Sequence, residues 1–169
     1  SIRLDKDRTS QTLVLTYAGP AGIAIEKKLT FHHDQYKVDV EVSTRGVDGY
    51  SLALGTDFGL ADKISSDAAS RVGVAALVDG KTIAEKTDGI KLELQQTGTI
   101  DWFAQEDKYF TAALLSGKPG IVTTKKTAAP KQIGDLLSTE LLVKDEPESR
   151  TFTLYARPKS FNLLQAYGK

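Results

Sequence analysis

The chain has 169 residues, with 22 Lys and Arg against 22 Asp and Glu, so its formal net charge is zero; 40% of its residues are hydrophobic and 26% are charged. That size suits one domain with a sizeable core, and the neutral balance leaves no basic face for a nucleic-acid backbone. With no cysteine, disulfides and thiolate nucleophiles are excluded, and with only two histidines a zinc site is not expected.

Alternation of period two dominates the chain. Leu13, Leu15 and Tyr17 share one face of a first strand, with Thr12, Val14 and Thr16 on the other. A turn at Gly19, Pro20, Ala21 and Gly22 follows, and Ile23, Ile25, Lys27, Leu29 and Phe31 resume the pattern. His32 and His33 come next; neighbours on an extended chain point to opposite faces, so they make a poor chelating pair. Tyr36, Val38, Val40 and Val42 alternate with Lys37, Asp39, Glu41 and Ser43, the clearest half-buried strand of the chain. Further strands are expected at residues 50–55, 72–78, 91–95, 109–115, 137–143 and 151–156. Asp48-Gly49, Asp79-Gly80 and Asp88-Gly89 supply turn signals between them.

Many short strands with frequent turns argue for an antiparallel sandwich, an all-β fold without internal repeats. Two segments read as loops: residues 61–70, polar and without period, and residues 117–131. The second holds Lys118, Lys125, Lys126 and Lys131 with no acidic residue, together with Pro119 and Pro130. Asp145, Glu146, Pro147 and Glu148 read as an exposed hairpin turn. Near the end, Pro158 suits the first turn of a helix, Phe161, Leu164 and Tyr167 recur at helical spacing, and Gly168 suits its stop. Residues 102–115 fit either a helical face or two strands around a tight turn at residues 105–108.

Candidate functional residues are few. Asp101, Glu106 and Asp107 surround Trp102, an arrangement that fits a sugar site but fits solvated turn acids better. No nucleophile elbow, phosphate loop or dinucleotide pattern occurs, so no catalytic, cofactor or metal residue is assigned. Trp102, Phe103, Tyr109 and Phe110 form the densest aromatic cluster, read either as core or as the apolar wall of a partner-binding groove. Lys118, Lys125 and Lys126 are the candidate contacts for an acidic partner or anionic headgroups. No run of about 18 apolar residues crosses a bilayer, no signal peptide is visible, and the absence of methionine points to a processed or excised segment.

Three stretches carry a resemblance. The strand ending in Leu154, Tyr155 and Ala156 runs into Arg157-Pro158-Lys159-Ser160-Phe161-Asn162-Leu163-Leu164. This is similar to the junction "strand, then Gly-Pro-Lys-x-Tyr-x-Leu-Leu" that closes the extracytoplasmic domain of the YidC membrane insertases. Trp102, followed by Asp107-Lys108-Tyr109-Phe110 and the small residues Thr111, Ala112 and Ala113, resembles a second family segment. Residues 13–17 and 23–31, followed by Tyr36 to Val42, resemble its paired strands and "Tyr-x-Val-Asp-Val-Glu-Val". Arg157 replaces the usual glycine and Phe161 the usual tyrosine. The family's domain also carries strands before the first match, so this is either a short version or one trimmed at its N-terminus.

The resemblance implies a twisted β-sandwich of the galactose-mutarotase-like supersandwich type with a short C-terminal α-helix. Residues 1–157 would form the sandwich. Residues 158–169 would form the helix leading toward the membrane core, with Pro158, Phe161, Leu163, Leu164 and Tyr167 linking the two. It implies a non-catalytic module on the periplasmic face of the bacterial inner membrane, serving as spacer, docking face or client contact. The implied partners are Sec translocon accessory subunits and nascent membrane proteins, with the isolated domain monomeric. The alternative is a carbohydrate-binding or mutarotase-like sandwich with Trp102 stacking on a sugar. A cleft lined by Trp102, Asp101 and Glu106 would favour it, and Trp102 buried in the core would sink it.

Overall fold

The structure is a computed structural model that describes residues 2–55, 73–106, 110–127, 136–144 and 149–158. Ten strands follow in order: β1 Ser10–Ala18, β2 Ala24–His32, β3 Lys37–Arg45, β4 Gly49–Ala53, β5 Gly73–Val78, β6 Lys81–Lys86, β7 Glu93–Glu106, β8 Phe110–Thr127, β9 Leu136–Lys144 and β10 Arg150–Pro158. Every pairing is antiparallel. The order across the sheet is β1-β2-β3-β10-β8-β7-β5-β6, with β9 also on β8 and β4 on β9.

The long hairpin β7–β8 makes this a sandwich. The first part of β8 pairs with β10, from Phe110↔Pro158 to Leu115↔Thr153, and its second part pairs with β9, from Ile121↔Leu142 to Thr127↔Leu136. Between them the register slips: Trp102 faces Leu115 while Ile100 faces Lys118, so Asp101 stands against both Ser116 and Gly117 of β8, and on the β5 side Asp101 is itself the extra residue between Leu77 and Val78. Gly117 takes φ +63 at this place, in the left-handed region glycine reaches without strain. Bulge and glycine bend both strands, so β7 and β8 leave one layer and enter the other. The main core lies between the layers: Val40, Val42, Ile100, Phe103, Leu114, Leu141, Val143 and Phe152 are all at most 5% exposed.

The expected strands are present with shifted limits: β4 stops at Ala53, β7 starts at Glu93, others run longer, and residues 72 and 109 lie outside the described residues. Asp79 and Gly80 both take positive φ and close a two-residue hairpin between Val78 and Lys81. The strand-turn-strand reading of residues 102–115 holds, but Gln105 belongs to β7 rather than the turn. It is buried, and its Nε2 donates to Leu137 O at 3.0 Å.

Two expectations fail. Residues 117–127 are not loop but the second part of β8, because Thr123 and Thr124 are buried and residues 121–125 are paired with both β7 and β9; residues 128–131 of the expected loop lie outside the described residues. Pro158, expected to open a helix, is the last residue of β10. The remainder of that helix, with Phe161, Leu163, Leu164 and Tyr167, lies outside the described residues, as do the expected loop at 61–70 and the turn at 145–148.

Candidate docking site

Paired residues on neighbouring strands share a face, so the register identifies what each side of the sheet carries. Across β10, β8, β7 and β5, the row Leu154, Leu114, Phe103 and Ala76 faces the core. The adjacent row, Thr153, Leu115, Trp102 and Leu77, faces the other way, and Asp39 extends it onto β3. The aromatic cluster is therefore split by the pleat. Phe103 is fully buried at 0% exposure and takes no part in any surface, which corrects its place among the contact candidates. Trp102 is half-buried on the outer face beside Leu115, and Phe110 is exposed at the strand end. Tyr109 lies outside the described residues.

At the bend of β8 the outer face opens into a hollow of about 560 Å³. β3 supplies Asp39, β7 the bulged Asp101, β8 residues 115–117, and β10 Thr151 and Thr153 with Phe152. Its lining is mixed: hydroxyls and two carboxylates surround the half-buried Leu115, while the Phe152 ring itself is turned into the core at 3% exposure. Asp39 is already engaged, since His32 Nε2 lies 2.6 Å from its Oδ2 and Lys37 Nζ 3.7 Å from its Oδ1. Asp101 forms no ion pair among the described residues. Trp102 and Glu106 do not line the hollow, so the Trp102–Asp101–Glu106 cleft wanted for a sugar site is not assembled there.

Arg150 supports the hollow from below. It is 3% exposed, its Nη2 donates to Ser116 Oγ at 3.0 Å and to Pro119 O at 3.3 Å, and its guanidinium stands 5.2 Å from the Phe152 ring centre. A second buried arginine, Arg157, donates to Tyr155 Oη at 2.7 Å and stands over the rings of Tyr36 and Tyr155. Neither arginine is marked by composition. The signal available was parity, since Arg150 falls in phase with Phe152 on the core side.

The lysines do not form a patch. Lys125 lies 3.5 Å from Glu140 across the β8–β9 pair, and Lys126, on the opposite face, donates to Thr87 O at 3.2 Å. Lys118 is exposed at the bend. His32 and His33 each approach a separate carboxylate, Asp39 and Asp34, and no group of three His, Asp or Glu gathers among the described residues. Elsewhere on the outer face Lys28 bridges Glu26 at 3.2 Å and Glu41 at 3.1 Å. The hydrogen bond to Glu41 is the main cause holding the Lys28 amine above its ordinary range. The same bond, helped by one from Ser149, holds the Glu41 carboxyl below its own.

The fold is thus a bent antiparallel sandwich with an open hollow at its corner. Over residues 1–169 the sequence matches the family described as the YidC periplasmic domain, and the chain belongs to that family. It is 24% identical to the membrane protein insertase YidC of Syntrophus aciditrophicus, over 98% of this chain and 32% of that protein. It is 22% identical to the YidC of Geobacter metallireducens, over 99% of this chain and 33% of that protein. It is 30% identical to that of Chlorobium limicola, over 84% and 26% respectively. The chain thus spans about a third or less of these relatives. It is a periplasmic domain of the inner-membrane insertase type.

Proposed function

We propose that this domain assists insertion and folding of inner-membrane proteins by contact and positioning, making and breaking no bond. The observation that carries this reading is the corner hollow, where Leu115 forms an apolar floor among hydroxyls and the carboxylates of Asp39 and Asp101. An extended segment of a client fits such a lining: its apolar side chains meet the floor, and its backbone or basic groups meet the rim. Trp102 and Leu77 continue the apolar strip away from Leu115 across β7 and β5. A Sec accessory subunit is the alternative occupant of the same face, and a pure spacer role would leave the hollow empty.

The test is a photo-crosslinking side chain at Thr151, within the complete insertase, during synthesis of a membrane-protein client. The proposal expects adducts to client well above those from the same probe at exposed Lys81 on β6. Equal background from both positions would reject the contact role. Adducts to a Sec subunit instead would assign the hollow to docking.

A further inference from the structure

We propose that β1 pairs edge to edge with β1 of a second copy of this chain, antiparallel about a two-fold axis through Val14. Three strands have only one partner strand among the described residues: β1, β4 and β6. β4 has only five residues, and β6 carries Lys81, Glu85 and Lys86, both common protections against stray pairing. β1 has nine residues without a charge, a proline or a glycine. Leu13, Val14, Leu15 and Tyr17 on it are 39, 48, 43 and 58% exposed, so both of its faces leave large apolar side chains in water.

What identifies the partner as a second copy is the sequence of that edge. Thr12-Leu13-Val14-Leu15-Thr16 reads the same in both directions about Val14. An antiparallel two-fold pairing requires such self-complementarity, because each residue meets its mirror position. With Val14 opposite Val14 of the other copy, Leu13 meets Leu15 and Thr12 meets Thr16, each on its own face.

The backbone has the matching phase. His33 N–H donates to Thr9 O at 2.8 Å and Gly19 N–H donates to Ile23 O at 2.8 Å, so the odd positions of β1 bond to β2. In an antiparallel ladder the even positions then aim their N–H and C=O at the open edge. Ser10, Thr12, Val14, Thr16 and Ala18 are those residues, and Val14 sits at their centre. A two-fold axis through an outward-aimed residue lets the two central residues exchange both hydrogen bonds. The interface is one strand wide, so association is weak and the dilute chain is a monomer, as the resemblance to its family implies.

Sedimentation of this chain over a range from low micromolar to near-millimolar concentration tests the proposal. The expected result is a monomer–dimer equilibrium. Val14→Lys places like charges together at the axis and should weaken it by about fivefold or more, and mixing Val14→Lys with Val14→Glu should restore a heterodimer. As a check needing no variant, amide exchange at Thr12, Val14 and Thr16 should slow as concentration rises, while Leu13 and Leu15 stay protected throughout. A monomer at every concentration, a dimer indifferent to Val14→Lys, or Val14 exchange independent of concentration would overturn it. So would protection of these amides at all dilutions in the longer parent protein, which would give the edge to another segment of the same chain.

Discussion

Arg150 Nη2 donates to Ser116 Oγ across 3.0 Å, joining the first residue of β10 to the bend of β8 where the two layers part. The bond sits beneath the hollow: Ser116 lines it, and Arg150 fills the corner between the layers at 3% exposure. A buried cation is tolerated here because Ser116 Oγ and Pro119 O accept from it and the Phe152 ring faces it.

Removing that side chain opens a cavity and strands its acceptors. Arg150→Ala should lower stability by about 2–4 kcal/mol, against about 1 kcal/mol for Ser116→Ala. Urea unfolding of both variants and of the double variant checks this. A double-variant loss smaller than the sum of the singles identifies the coupling.

Gly117 takes φ +63 with open space where a Cβ would stand. The cost of a side chain there is therefore conformational and not steric. Gly117→Val should destabilise by about 1–2 kcal/mol, and Gly117→Asn by clearly less, because asparagine visits the left-handed region more readily. Equal losses for the two in thermal unfolding would show that the bend does not depend on this backbone state.

The pleat separates structure from contact at adjacent residues. Phe103→Ala should cost about 3–5 kcal/mol, since the ring is fully buried between the layers. Trp102→Ala, on the half-buried outer face, should cost markedly less, yet reduce client adducts from the probe at Thr151. Denaturant midpoints and crosslink yields, measured on the same two variants, should rank them in opposite orders.

The Lys28–Glu41 pair has a definite pH window. The Glu41 carboxyl is held low, so its contribution is present above the unfolded carboxylate range and is lost as pH falls through the folded value. The Lys28 amine is held high, so its contribution is present below the unfolded lysine range and is lost as pH rises through the folded value. Both groups are exposed and screened, so the effect is small. Glu41→Gln should flatten the acid limb of the stability profile slightly and leave the limb between pH 5 and 7, where neither group titrates, parallel to wild type.

Much of this fold was legible in the residues themselves. β3 alternates apolar and polar residues because one face packs on the core, and Asp79-Gly80 marked its hairpin through a turn chemistry that depends on neighbours alone. β8 was not legible past Leu115. Gly117, Pro119 and Gly120 look like loop punctuation, and only the pairing of β8 with β7 and then β9 shows them bending a continuous strand. β6 was missed because an edge strand carries a single inward apolar residue, Ile83, among polar ones.

The candidate site was less legible than the fold. Asp39, Asp101, Ser116 and Thr151 come from four strands far apart in sequence, and no local pattern anticipates their convergence. The aromatic cluster pointed to the right neighbourhood through Trp102. It merged two faces, however, because the bulge at Asp101 hides which of Trp102 and Phe103 looks inward.

Filling the hollow is the most direct test of its role. Thr151→Trp, at an exposed position of the rim, should leave the fold intact by circular dichroism and block the apolar floor. The measurement is the rate at which the complete insertase carrying this change inserts a client into membranes, beside the wild type and a form lacking the domain. A contact role predicts that the filled hollow slows insertion nearly as much as loss of the domain. Wild-type insertion with the hollow filled, alongside a clear defect when the domain is removed, would contradict it.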